Sequence, residues 1–290
     1  MGRWTTILLT VMALTVSASA CGQGAAPPAV RGWVTTPADS LLAEAVLADL
    51  ASHAGDPVPE LMIRAGKALE GQPYVAGTLD ERPEGGGKEE LRIFLTRTDC
   101  IIFVETCLAL ARTAVQGGGF QMLADEIRQS RYRDGRVEAY ADRLHYTTEW
   151  ARQGEARGVL KDVTRALGGE RLDRPVHYMS VHPDSYPLMD DPEAIRAAED
   201  RINSEPRYYV PKSKIAGALK DIRTGDIICL VSAVDGLDIA HVGLALVENG
   251  EVRLLHASTG TMNVTVDSRT LQEYLRERSS ITGIQVLRPI

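Results

Sequence analysis

The chain has 290 residues, 44% apolar, 24% charged and 5% aromatic, with a formal net charge of −7. That is enough apolar material for one large domain with a filled core, or one domain with a small accessory piece. The acidic balance argues against a nucleic-acid partner, which wants a basic face, and the sparse aromatics argue against extended carbohydrate-stacking platforms.

The N-terminus reads as an export signal over residues 1–20. Arg3 supplies the positive end, residues 7–16 a short apolar run, and Ala18-Ser19-Ala20 a small-residue cleavage site. The run is too short to cross a bilayer, which takes about 20 residues. No later stretch approaches that length, so no transmembrane helix is expected in the mature protein. Cys21 leaves two readings open. Cleavage before it with lipid attachment would anchor the protein to a membrane; ordinary cleavage would release it to the periplasm or medium. Ala18 stands where a lipoprotein signal usually carries Leu. Residues 21–37 read as a flexible tether.

Behind the tether, Asp39 or Ser40 is placed to cap a helix in which Leu41, Leu42, Ala45, Val46 and Leu50 repeat at helical spacing. A second helix is predicted over about 59–69, stopped near Gly71 and Pro73. Residues 80–90, polar and containing three successive glycines, form an exposed loop. Next comes Thr98-Asp99-Cys100-Ile101-Ile102-Phe103-Val104, opening a helix apolar on nearly all sides and so central and buried. Residues 120–167 read as mainly helical and highly charged, with a further short helix around 194–203. The C-terminal third changes character: 227–231, 239–247 and 252–257 read as strands, 271–276 as helix and 281–286 as a last strand. Helices first and strands later, with one buried helix facing an antiparallel sheet, give an α+β fold.

With Cys21 set aside, Cys100, Cys107 and Cys229 are left in an oxidising compartment, an odd number, so at least one of the three has no partner among them. Cys100 and Cys107 on one helix lie about 10 Å apart along its axis, beyond the reach of a disulfide. Cys107 and Cys229 sit in apolar runs as small hydrophobes. Cys100 does not: it stands at a helix start, where free N–H groups and the helix dipole favour a thiolate.

Asn249-Gly250 is a strong two-residue hairpin signal. With it as the turn, Glu248 faces Glu251, Gly243 falls opposite His256, and His241 opposite Ser258. Side chains alternate, so His241, Gly243, His256 and Ser258 share one face, with the two histidines diagonal neighbours. Gly243 would let another element approach, the Cys100 helix being the natural candidate. Together these residues read as the parts of a cysteine hydrolase: Cys100 attacks a carbonyl, His241 exchanges the proton, and His256, or less favourably Ser258, orients His241. A zinc site built from Cys100, His241 and His256 is the lesser alternative. No organic cofactor and no metal are expected.

These residues lie in segments that resemble a known family. Gly71-Gln-Pro-Tyr74, Asp99-Cys100 and His241-Val-Gly resemble the NlpC/P60 superfamily of papain-like cell-wall hydrolases. The segments at 73–79, 98–106, 143–150, 236–243 and 255–258 are similar to one branch, the DUF1460 or N-acetylmuramoyl-L-alanine amidase-like family. The resemblance spans about residue 61 to the C-terminus. It implies a papain-like fold over 38–290, with a helical insertion at about 117–211, and Cys100, His241 and His256 as the catalytic set. It puts Tyr74 beside the nucleophile, with its hydroxyl at the oxyanion or its ring packed on the core. It further implies Arg143, His145, Tyr146 and Trp150 near a substrate groove, with Arg143 holding a substrate carboxylate or standing solvated on a helix. Asp238 either holds the loop before His241 or touches substrate. Ile101-Ile102 departs from the Ser-Gly that many NlpC/P60 members carry after Asp-Cys, which favours the narrower branch.

The implied reaction is hydrolysis of the amide between N-acetylmuramic acid and L-alanine, in peptidoglycan or muropeptide fragments, by a monomer. Rival readings are a stem-peptide endopeptidase, a non-catalytic cell-wall-binding module, and an acyltransferase acting on lipid.

Overall fold

Helices α1 (Pro37–Ala51), α2 (Val58–Ala68) and α3 (Cys100–Val115) stack on one face of an antiparallel sheet. The computed structural model describes residues 32–81 and 89–290. The export signal, Cys21, residues 22–31 of the tether and the glycines of the 80–90 loop lie outside them. Among the described residues, no helix is long and apolar enough to cross a membrane.

The start of α1 corrects the expected cap. Thr36, one residue before Pro37, is the N-cap, and Asp39 answers it from the third helical position in a capping box. Asp39 has a second task that removes it from capping alone. Fully buried, its Oδ1 accepts from the Leu95 and Thr96 amides, both at 2.8 Å, and so ties α1 to the segment before α3.

The remaining elements are α4 (Phe120–Arg131), α5 (Thr147–Ala156), β1 (Leu160–Asp162), β2 (Glu170–Arg171), α6 (Tyr178–Val181), α7 (Pro192–Asn203), β3 (Tyr208–Pro211), α8 (Ile215–Ala218), β4 (Ile227–Ser232), β5 (Ile239–Glu248), β6 (Glu251–Ser258), β7 (Asn263–Thr270), α9 (Leu271–Arg276) and β8 (Ile281–Pro289). The sheet runs β2-β3-β8-β4-β5-β6-β7, with β1 also on β8. Strand β4 is buried at every position, as a central strand covered on both faces must be. Ile227 and Cys229 join the core beneath α1–α4, while Ile228 and Leu230 join a second core with α8 and α9. Each Leu, Ile or Phe buried there contributes about 1.5–3 kcal/mol relative to exposure.

Two departures from the sequence reading matter. The 117–211 stretch is not a helical insertion alone. Its strands β1 and β3 pair with β8 (Leu160↔Pro289, Val210↔Ile284) and occupy an edge that would otherwise stand open. At four residues or fewer, they carry no readable period. The second departure is β7, for which no strand was expected. It pairs with β6, placing Thr265 opposite His256.

Candidate active site

Cys100 begins α3, and Asp99 is its N-cap, accepting from the Ile102 amide at 2.9 Å. The Asp99 carboxylate therefore serves the helix end. Helix α3 packs on β5 and β6 from the side that carries Val242, Leu244 and Leu255. The β5–β6 ladder runs from Glu248↔Glu251 to Leu244↔Leu255. Past its end, the Val242 N–H reaches the Cys100 thiol, which it approaches together with the amides of Ile101 and Cys100. Val242 follows His241 directly, so the thiol sits at the level of that histidine.

The expected hairpin is present: Asn249 (φ 52°) and Gly250 (φ 80°) both take the left-handed conformations that such a two-residue turn requires. His241 Nε2 and His256 Nδ1 lie 2.6 Å apart. His256 is fully buried, and its ring meets the edge of Tyr274 from α9. That contact puts His256 on the sheet face opposite α3. Gly243 therefore does not admit the Cys100 helix. A Cβ at Gly243 would lie 2.9 Å from the His256 Cβ, so the missing side chain makes room for the histidine across the strand pair.

Ser258, on the same strand, stays out of this pair; its Oγ accepts from the Gly260 and Thr261 amides and caps the turn into β7. The third partner comes instead from β7, which the sequence reading missed. Asp267 Oδ2 lies 3.5 Å from His256 Nε2, and Arg269 clamps Asp267 through Nε to Oδ1 at 2.8 Å and Nη2 to Oδ2 at 2.7 Å. The alternation in Val264-Thr265-Val266-Asp267 was the signal available. The direct bond between the imidazoles is too short to hold a metal between those two nitrogens, each of which would need about 2.0–2.1 Å.

Burial sets the resting protonation. It pushes the Cys100 thiol up to about 12, with the Asp99 charge adding to the effect and the three amides opposing it. Burial therefore opposes the thiolate that the helix start favours. Burial lowers His241 to about 3, with His256 and Arg278 adding to it, and lowers His256 to about 4, against the pull of Asp267. A neutral thiol can react as a thiolate only where a neutral base takes its proton. Cys107 and Cys229, both fully buried and free, play the packing role expected.

Tyr74 is half-buried beside this group. Its amide donates to Met262 O at 2.9 Å, and burial, Cys100 and Asp99 together push its phenol up to about 12. The Arg143 group divides differently. Arg143 Nη1 donates to Asp80 at 2.9 Å, and its Nε lies 2.8 Å from Glu89, so its charge is already matched from both sides of residues 82–88. His145 stacks on Tyr140 and bonds its carbonyl through Nε2 at 2.8 Å. Tyr146 is buried, donating to Glu199 at 2.7 Å, and Trp150 is in the core. Neither is free to meet a ligand. Asp238 resolves toward the loop-holding role: buried, it accepts from the Thr148 amide at 2.8 Å and the Ile239 amide at 2.7 Å, fastening the start of α5 to β5.

Three comparisons bear on this geometry. The family model for AmiA-like, N-acetylmuramoyl-L-alanine amidase-like proteins matches residues 64–284. No curated protein matches the chain. An N-acetylmuramoyl-L-alanine amidase from Bacteroides uniformis is similar in structure, with a TM-score of 0.73 at 36% identity over 80% of this chain and 99% of that one. A Bacteroides fragilis protein, provisionally named a xylanase, reaches 0.68 at 34% identity over 77% and 98%. A Legionella pneumophila protein of the DUF1460 family reaches 0.68 at 19% identity over 88% and 97%, a likeness of fold alone. The family match runs from within α2 into β8 and takes in Tyr74, Cys100, His241, His256 and Asp267 together: the chain belongs to the N-acetylmuramoyl-L-alanine amidase-like family.

Proposed function

We propose that the protein is a cysteine-dependent amidase that cleaves the bond between N-acetylmuramic acid and L-alanine in peptidoglycan or its fragments, on a papain-like fold of the NlpC/P60 type. The observation that carries this reading is the pair of half-buried His241 and buried His256, bonded at 2.6 Å, at the strand level reached by the Cys100 thiol. The substrate comes from the family and from the amidase name of the Bacteroides uniformis structure. We extend the proposal to export through residues 1–20, with Cys21 as the candidate lipid anchor.

His241 Nε2 is engaged by His256, which leaves Nδ1 for the substrate side. In the proposed mechanism Nδ1 takes the Cys100 proton as the sulfur attacks the lactyl carbonyl carbon. The resulting oxyanion meets the Cys100 amide and the Tyr74 hydroxyl. The C–N bond then breaks, the alanine nitrogen leaves with the proton from His241, and a muramoyl thioester remains on Cys100. Water, deprotonated by His241, releases the muramic acid carboxylate and restores the thiol.

Mass spectrometry of muropeptides incubated with the protein tests the reading. Stem peptides with a free L-alanine amine are expected from the wild type and none from Cys100→Ala. Cleavage inside the stem would replace this reading by an endopeptidase, and full activity in Cys100→Ala would overturn the thiol mechanism.

A further inference from the structure

We propose that Asp267 is a positioning residue that fixes the tautomers of both histidines, an inference that rests on the cysteine mechanism above. His256 has two ring nitrogens in a fully buried site. Nδ1 faces His241; Nε2 has no hydrogen-bond partner at ordinary length, and the carboxylate oxygen at 3.5 Å is its one ion-pair partner among the described residues. Arg269 holds that carboxylate with its backbone amide at 2.9 Å as well as its guanidinium, and keeps Asp267 below the usual carboxylate range. A fixed anion thus points at Nε2.

The charges around the pair come from several elements. Arg278, which follows α9, and Arg269 on β7 both oppose protonation of His256, while Tyr274 on α9 covers its ring edge without a charge. Asp267 is the single anion among these groups.

An anion attracts an N–H. A proton on His256 Nε2 leaves Nδ1 as a lone pair, and a lone pair 2.6 Å from His241 Nε2 requires the His241 proton there. His241 Nδ1 is then unprotonated and available as base. Without the anion, His256 can carry its proton on Nδ1 and donate to His241 Nε2, which moves the His241 proton to Nδ1 and removes the base. Orienting carboxylates of this kind act through the imidazole they hold, without touching substrate.

The test combines three measurements on the full chain, wild type and Asp267→Asn. First, kcat for muropeptide cleavage should fall by about 10- to 100-fold with KM within about two-fold. Second, alkylation of Cys100 by iodoacetamide, which needs no muropeptide and is read on its own peptide by mass spectrometry apart from that of Cys21, should slow in parallel; Cys107 and Cys229 are fully buried. Third, 15N spectra of labelled histidines should show His256 protonated on Nε2 and His241 on Nε2 in the wild type, and a redistribution in the variant. A wild-type His256 protonated on Nδ1 would overturn the proposal without recourse to any variant. Unchanged alkylation and spectra in Asp267→Asn would overturn it as well. Altered alkylation and spectra in a protein that leaves muropeptides uncut would retain the positioning role and reject the substrate reading.

Discussion

The rings of His241 and His256 meet at 83°, their centroids 4.9 Å apart, with Nε2 of the first 2.6 Å from Nδ1 of the second. Two N–H groups cannot face each other at that distance, and two lone pairs repel, so the pair shares one proton between these nitrogens. The tautomer of either ring then dictates the tautomer of the other. Burial keeps both neutral, so this coupling, rather than a charge, links the two rings.

Replacing His256 separates positioning from bulk. His256→Ala should lower kcat by about 10²- to 10³-fold with little change in KM, because His241 loses the acceptor that orients it. His256→Asn should recover part of the loss, since its side-chain oxygen can accept from His241 Nε2. Steady-state kinetics of the two variants checks this, and equal activity in both would remove the hydrogen bond from the account.

The pH dependence has an assignable sign. The base must be neutral, and His241 and His256 are lowered to about 3 and about 4. The acid limb of kcat/KM should therefore fall below pH 5, well under the ordinary histidine value near 6.5. With the thiol pushed up to about 12, no alkaline limb is expected before pH 9. An acid limb centred between pH 6 and 7 would show that the base titrates as an ordinary histidine and that burial does not hold it down.

His145 offers a stability readout away from the reacting groups. Burial, with Arg143 beside it, lowers it to about 3. An unfolded chain binds the proton near pH 6.5 and the folded one only near 3. The stability from the neutral form is thus complete above 6.5 and is lost as pH falls toward 3. Between pH 7 and 5 that amounts to about 1–2 kcal/mol. The raised carboxyls of Asp99 and Asp238 act in the opposite direction, so total stability blends the two. Comparing wild type with His145→Asn by denaturant melts at both pH values isolates the histidine: the variant should lose less on acidification.

Much of this was legible because it rests on local rules. The Asn249-Gly250 turn fixed the register, and the register put His241 and His256 on one face. Asp99 and the apolar run behind it marked α3. What escaped depended on distance through space. No pattern around Arg143 announces Asp80 and Glu89, and Tyr146 looks like a surface aromatic until Glu199 closes over it. Strand β7 shows the other failure: only Val264 and Val266 point to a strand, and its polar positions hid the carboxylate that faces His256.

Arg143 should behave as a structural ion, not a substrate anchor. Removing it in Arg143→Ala leaves the little-exposed Glu89 carboxylate without its ion-pair partner, with only the Tyr132 hydroxyl and the more distant Arg131 charge, which costs up to about 3–5 kcal/mol. Urea denaturation should show that loss, while KM for the refolded variant stays near the wild-type value. A large rise in KM with unchanged stability would restore the anchor role.

Gly243→Ala probes the fit between the strands that hold the pair. The new Cβ would stand 2.9 Å from the His256 Cβ and 3.3 Å from the Leu255 carbonyl oxygen, neither of which is the free end of a flexible side chain. Relief requires β5 and β6 to part or His256 to tilt. Overpacking of this kind costs about 1–3 kcal/mol. Tilting His256 breaks its bond to His241, so kcat should fall by about 10- to 100-fold. A double-mutant cycle distinguishes this from general damage. In a His256→Ala background the clash partner shrinks, so Gly243→Ala should cost clearly less stability and almost no further activity. Additive losses in the cycle would place the effect of Gly243 in the backbone and not in the room it leaves for His256.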